Sequence, residues 1–264
     1  MSTLAEQEVQ AVGAAPAEAR GKPWALIGTP AVILIAAAAL MLYLRNATID
    51  PSMESSLNAE TISGLLWQHL ELSAVSTVIV LAVAVPLGIA LSRKGAKSAL
   101  PVVLTAANIG QGAPAIGVIV LLAVVIQPDS SAQSFWVAIL SMSVYSVLPA
   151  LRNTLVGLQQ VDPALIDAGR GIGMSAPAVL FRVEVPLAVP VILAGIRTTL
   201  VLNVGMAALA ALIGAGGLGN LVVTGVKLAQ IPVLVTGSVL IAILALAVDW
   251  VAAIAERYLH PKGV

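Results

Sequence analysis

The sequence predicts an all-α, polytopic membrane protein with about six transmembrane helices. Three observations predict it. Hydrophobic residues fill 59% of the 264 positions and charged residues only 10%, far less charge than a soluble domain carries. The mean hydropathy is +1.02. The apolar residues fall in long, near-continuous runs instead of short alternating stretches, which argues against an outer-membrane barrel. The formal net charge is zero and there is no cysteine. No nucleic-acid footprint follows from the first, and disulfide and thiol chemistry are excluded by the second.

Residues 1–22 are polar, Ala/Glu-rich and aperiodic, and read as a disordered cytoplasmic tail. Arg20 and Lys22 precede an apolar run over 24–45. It is longer than a signal-peptide core and no small-residue cleavage site follows, so a retained N-terminal transmembrane helix is expected. Residues 46–68 are polar and acidic, with Trp67 placed as an interfacial anchor. A second span is expected over 69–91, followed by Arg93, Lys94 and Lys97. The apolar stretch 100–126 is interrupted by Gly110, Gly112 and Pro114, and forms either one kinked helix or two half-helices. A polar turn at 127–134 leads to a fourth span over 135–151. A fifth is expected over 187–212 and a sixth over 232–254, with a glycine-rich turn, GAGGLG, at 214–219 between them.

Basic residues set the orientation. With the N-terminus inside, Arg93, Lys94, Arg152, Arg170 and Arg182 fall on the inner side, and only Arg45 and Lys227 fall outside. Both termini and the segment 162–186 are then cytoplasmic. That segment carries Asp162, Asp167, Arg170, Arg182 and Glu184, too many charges for lipid. Asp162 followed by Pro163 predicts a capped helix start. Val161 and Ile166 stand in the positions of a hydrophobic staple. Gly171 and Gly173 predict its stop, and Ser175 predicts a second short helix containing Pro177 that runs into the fifth span. A helical hairpin on a membrane face is a docking surface.

Arg197 and Asp249 lie well inside spans at depths that differ by about a turn. Each is costly against lipid, so the two are expected to pair or share a polar network. Gln111 and Pro114 mark the break in the third stretch, where freed backbone is tolerated only along a cavity or buried in protein. With Tyr145, Thr198 and Asn203 they are candidates to line a passage, the alternative for each being interhelical hydrogen bonding. GAGGLG lacks the preceding strand and the acid about 20 residues on that a dinucleotide site needs, so a tight extracytoplasmic turn is expected. No phosphate-binding loop occurs. His69 and His260 have no companions at ligand spacing and read as surface residues. No metal site, catalytic set or cofactor site can be assembled.

Within 162–186, Asp167-Ala168-Gly169 is followed after three residues by Gly173, and after nine more by Val183, one residue, and Val185-Pro186. This spacing resembles the EAA loop of ABC importer permeases, with Asp for Glu, Gly for the second Ala and Val for Ile and Leu. The resemblance extends to Pro86-Leu87-Gly88-Ile89, to the run 148–174, to 183–198 and to 210–219. Over about 65–257 the chain looks like the permease of osmoprotectant importers. It implies a MetI-like (type I ABC importer) core with an extra N-terminal helix. It further implies that Asp167, Ala168, Gly169, Gly173 and Pro186 couple to an ATP-binding cassette subunit, with Ala168 and Gly173 packing closely in its groove. The implied partners are those ATPase subunits, a second permease copy or related permease, and an extracytoplasmic binding protein, in a bacterial plasma or inner membrane. The implied cargo is of the glycine betaine, choline and carnitine class. Where the family has Gln-Thr-Ile-Pro-Ser, this chain has Gln111-Gly112-Ala113-Pro114-Ala115, two hydroxyls fewer. An amino-acid permease, for methionine for example, and an ATP-independent channel or carrier are the alternatives.

Overall fold

A computed structural model describes residues 23–96 and 98–259. The expectations for 1–22, Lys97 and His260 lie outside the described residues, as do the side chains of Trp24 and Lys94. Every regular element among the described residues is helical. In chain order these are α1 (Pro23–Asn46), α2 (Pro51–Leu57), α3 (Ala59–Leu91), α4 (Leu100–Gly112), α5 (Ala115–Ile126), α6 (Ser131–Gln159), α7 (Pro163–Gly171), α8 (Ala176–Val179), α9 (Val185–Ala210), α10 (Gly219–Lys227) and α11 (Ile231–Leu259). Five stretches are long and apolar enough to cross a membrane: Ile27–Asn46, Ala59–Leu91, Ser131–Gln159, Ala176–Ile213 and Ile231–Tyr258. The pair α4 and α5, bent by 96°, supplies a sixth if it acts as one span. The interrupted third stretch is therefore two half-helices.

Helices α3, α6 and α9 form the centre. Leu72 of α3, Met142 of α6 and Ala207 of α9 share one buried cluster, on which Ile119 of α5 also packs. Val80, Ala84, Leu151 and Leu155 continue the α3–α6 contact along its length. Close approach depends on small residues. A Cβ at Gly195 of α9 would collide with Asn153 of α6, and one at Gly157 of α6 would press on the Ala188 carbonyl of α9. In lipid, where apolar surface gains little by self-association, such tight dispersion contact is what holds helices together.

Several boundaries differ from the sequence expectation. Hydropathy starts the second span at residue 69, but α3 starts at Ala59. Asn58 caps it there, its Oδ1 accepting from Thr61 N at 2.7 Å. At 33 residues, α3 is about 50 Å long, well beyond the roughly 30 Å apolar layer. Its polar first turns therefore stand clear of lipid. The fourth span likewise extends past 135–151 to Ser131–Gln159, with Ser130 as its N-cap. Two short helices, α2 and α10, have no counterpart in the sequence expectation. Asp50-Pro51 opens α2, whose Met53 is buried against Val204, Leu218 and Val233.

His69 is a correction. It is fully buried, not on the surface. Its Nε2 donates to the carbonyl of Val204 at 2.9 Å, and its ring lies beneath Gly217. The glycine-rich turn explains the burial. Gly214, Gly216 and Gly217 all take left-handed φ values, between 77° and 91°, which fold the turn back over the start of the apolar part of α3. Gly217 N donates to Gln68 Oε1 at 3.0 Å.

Gly219→Ala is expected to lower the unfolding temperature of the detergent-purified protein, because its Cβ would overlap the Ala208 carbonyl. Overpacking of this kind costs about 1–3 kcal/mol. Gly205→Ala, whose Cβ meets nothing within 4 Å, should leave the temperature unchanged or slightly raised in the same thermal scan.

Candidate functional site: the interhelical hairpin and the polar bundle

The hairpin between α6 and α9 is built by caps. Asp162 Oδ1 accepts from Ala164 N at 2.8 Å and opens α7 at Pro163. The stop is a Schellman motif: Met174 N donates to Gly169 O at 3.1 Å and Gly173 N to Arg170 O at 2.9 Å, with Gly173 at φ +88°. Gly171 is still within α7, so of the two expected stop glycines only Gly173 takes the left-handed conformation. Ser175 Oγ then accepts from Ala178 N at 3.4 Å and opens α8. A π-turn at Leu180–Glu184 joins α8 to α9.

The five predicted coupling residues divide by exposure. Asp167, Ala168, Gly173 and Pro186 are exposed, and Gly169 is buried. A Cβ at Gly169 would meet Val179 at 3.4 Å and Met174 at 3.5 Å, ordinary contact distances. Gly169 therefore faces the partner helix of the hairpin, with room for the alanine that the family pattern carries there. Open space surrounds Gly173; its requirement for glycine is conformational. Around these residues Ile172, Phe181 and Leu165 project into solvent at 82%, 65% and 47% exposure, with Arg170 and Arg182 also exposed. An amphipathic outer surface results, on which the charges of Arg170 and Arg182 are matched by those of Asp162 and Asp167.

Two ion pairs brace the bundle. Arg197 of α9 and Asp249 of α11 pair bidentately, Nε–Oδ1 and Nη2–Oδ2 both 2.6 Å. Glu256, a residue sequence reasoning passed over, adds a third member, at 3.5 Å from Nη1. It lies seven positions after Asp249, on the same helix face, which was the available signal. The second pair was missed altogether. Arg93, just after α3, holds Glu184 in the π-turn through Nη1–Oε1 at 3.0 Å and Nη2–Oε2 at 2.6 Å.

The five passage candidates do not form one wall. Asn203 is fully buried between helices, its Nδ2 donating to Thr77 Oγ1 at 2.9 Å. Thr198 is exposed but returns its hydroxyl to Ala194 O of its own helix at 2.9 Å. Tyr145 and Ala115, the neighbour of Pro114, pack against the same central cluster. Gly110 lies against Val144, beside Tyr145. The break residues Gln111 and Pro114 are half-buried and exposed respectively.

Comparisons with known proteins agree with this architecture. Residues 84–262 match the family described as binding-protein-dependent transport system inner membrane component. The chain is 39% identical over 199 residues to the glycine betaine/carnitine/choline transport system permease protein OpuCB of Bacillus subtilis (strain 168), covering 75% of this chain and 88% of that protein. It is 38% identical over 207 residues to the osmoprotectant import permease protein OsmW of Salmonella typhimurium, covering 78% and 95%. Among solved structures, an inward-facing MetNI methionine ABC transporter superposes with a TM-score of 0.66 at 22% identity, over 81% of this chain and all of that one. A bacterial alginate ABC transporter gives 0.63 at 15% identity, over 87% and 93%. At these identities the superpositions describe fold alone.

Replacing Arg197 by Ala should lower thermal stability, since it strands two partly buried carboxylates. Exchange of the pair, Arg197→Asp with Asp249→Arg, is expected to restore little by itself, because the carboxylate introduced at position 197 would then face Glu256. Adding Glu256→Gln should recover most of the loss, as measured by unfolding temperature and the yield of monodisperse protein.

Proposed function

Because this chain belongs to the family of binding-protein-dependent transport system inner membrane components, we propose that it is the transmembrane permease subunit of an ATP-driven importer for osmoprotectants of the glycine betaine, choline and carnitine class. One observation carries the reading: the chain aligns over most of its length, at 38–39% identity, with permeases named for those solutes. The capped hairpin at 162–186 supports it. It carries the EAA-like spacing on an exposed, amphipathic surface suited to a partner's groove.

The family implies ATPase and binding-protein partners in general. The finer assignment places the hairpin and both termini in the cytoplasm, as the distribution of Arg and Lys favours. ATP hydrolysis then belongs to a separate cassette subunit, docked on α7 and α8. A second permease, either a copy or a related chain, completes the passage. ATP binding draws the cassette subunits together, the hairpins follow, and α9 rocks with them to open the bundle to a loaded binding protein. The energy comes from ATP's preference for one of two packings.

Selectivity is assigned to the binding protein. Quaternary ammonium groups are held over aromatic faces, and aromatic residues are 3% of this chain. Trp67, Trp136 and Tyr258 are exposed on the helix exteriors, at 70%, 58% and 84%. Tyr145 and Phe135 are the rings that pack on the central cluster together with Ala115, next to the break in α4–α5. A passage with so few rings offers a weak site, as release to the cytoplasm requires.

In vesicles containing this chain, a cognate ATPase, its permease partner and binding protein, labelled glycine betaine, choline or carnitine should accumulate only with ATP on the cassette side. Uptake by the chain alone would refute the assignment. Gly173→Val, which forces a β-branched residue to left-handed φ at about 1–2 kcal/mol, should cut transport per ATP hydrolysed. Gly173→Asn, tolerant of that conformation, should stay near normal.

A further inference from the structure

We infer that the Arg93–Glu184 pair is a second output of the hairpin, carrying its displacement into α3 separately from the covalent continuation into α9. This inference rests on the coupling role proposed above and names the residues that would perform part of it.

The local chemistry is specific. Val185 N bonds back to Leu180 O, one residue further than in an α-helix. Such widened turns occur frequently at functional sites. Glu184 ends this turn with its side chain only 6% exposed, and Arg93 occupies both of its oxygens. The third guanidinium nitrogen, Nε, donates to Ser92 Oγ at 2.9 Å, and that hydroxyl donates to Ile89 O at 2.7 Å. The arginine head is therefore tied to the last turn of α3 at one side and to the hairpin exit at the other. A fork-to-fork pair fixes orientation as well as distance.

The surroundings make this tie the directional one. Helices α7 and α8 pack on each other and on the π-turn. Beside this tie, Val85 and Ile89 of α3 and Leu180 and Val185 of the hairpin exit pack on one shared apolar cluster, Leu158, Ala188 and Ile192. Apolar contact resists separation but not sliding; a bidentate pair resists both. From Arg93 the helix runs about 38 Å to Gln68 and His69, which hold Gly217 N and Val204 O at its other end. A shift at the hairpin thereby reaches the left-handed glycine turn along one continuous helix, whose hydrogen-bond ladder lacks one rung at Pro86. Arg93 and Glu184 are positioning residues; neither needs to touch cargo or nucleotide.

The test separates coupling from mere stability. Arg93→Met alone should destabilise, because it leaves a buried carboxylate unpaired. The double variant Arg93→Met/Glu184→Leu removes both charges and is expected to assemble normally. In vesicles with the ATPase, permease partner and binding protein, it should retain ATP hydrolysis while transport per ATP falls about tenfold. Should the apolar pair fail to assemble, Arg93→Cys/Glu184→Cys decides. The chain has no other cysteine, so a short, reducible bifunctional thiol reagent can close the gap. Coupling should return on bridging and be lost again on reduction, with single-cysteine controls unaffected. Wild-type transport per ATP in the double apolar variant, or indifference to bridging, would overturn the inference. A wild-type complex whose ATPase never drives uptake would instead overturn the importer reading itself, and the latch with it.

Discussion

A low-dielectric solvent penalises a polar group left unpaired, and much of the structure follows from that. Water satisfies a stray donor or charge at little cost, whereas hydrocarbon does not. The backbone answers by being helical throughout its spans. The side chains answer in pairs: Arg197 with Asp249 and Glu256, Arg93 with Glu184, Asn203 with Thr77, His69 with a carbonyl. Each pair joins segments distant in sequence, so each also fixes how two helices sit against one another. Hydroxyls without a distant partner, at Ser73, Ser141, Ser146 and Thr154, fold back onto the carbonyl four residues earlier.

Packing between helices then relies on shape. The α6–α9 crossing has Gly157 and Gly195 at its closest points, and the short helix α10 sits where glycine faces backbone on both neighbours. Charge pairs and glycine contacts act together. The glycines bring α6 against α9 and α10 against its neighbours, while the arginine pairs tie α9 to α11 and α3 to the hairpin exit.

The long spans, the capped hairpin and the Arg197–Asp249 partnership were legible because each leaves a local mark: a run of apolar residues, an Asp-Pro start with glycine stop, two charges at similar depth. What escaped was long-range. Nothing near His69 announces that a glycine turn almost 150 residues later folds over it. Glu184 looks like one more charge of an exposed loop, and only the π-turn, invisible to a 3.6-residue period, turns it inward towards Arg93. Asn203 reads as helix glue sooner than passage wall, but its partner, Thr77, lies 126 residues away and leaves no local mark. The start of α3 was misplaced because hydropathy locates the lipid boundary, while Asn58 locates the helix boundary, and the two differ by ten residues. The assignment of the hairpin rests on spacing, since several of its family-typical side chains are replaced. At Gly169 the replacement is benign: the space an alanine would fill remains.

The elbow between α4 and α5 has a mechanical corollary for the surrounding lipid. Two arms of 13 and 12 residues, set near a right angle, reach only about 27 Å from tip to tip, against about 38 Å for the same residues in a straight rod. That falls short of a hydrocarbon slab roughly 30 Å thick. A bent pair of that reach crosses a bilayer only where the lipid dimples, water enters the concavity beside Gln111 and Pro114, or a second chain fills it.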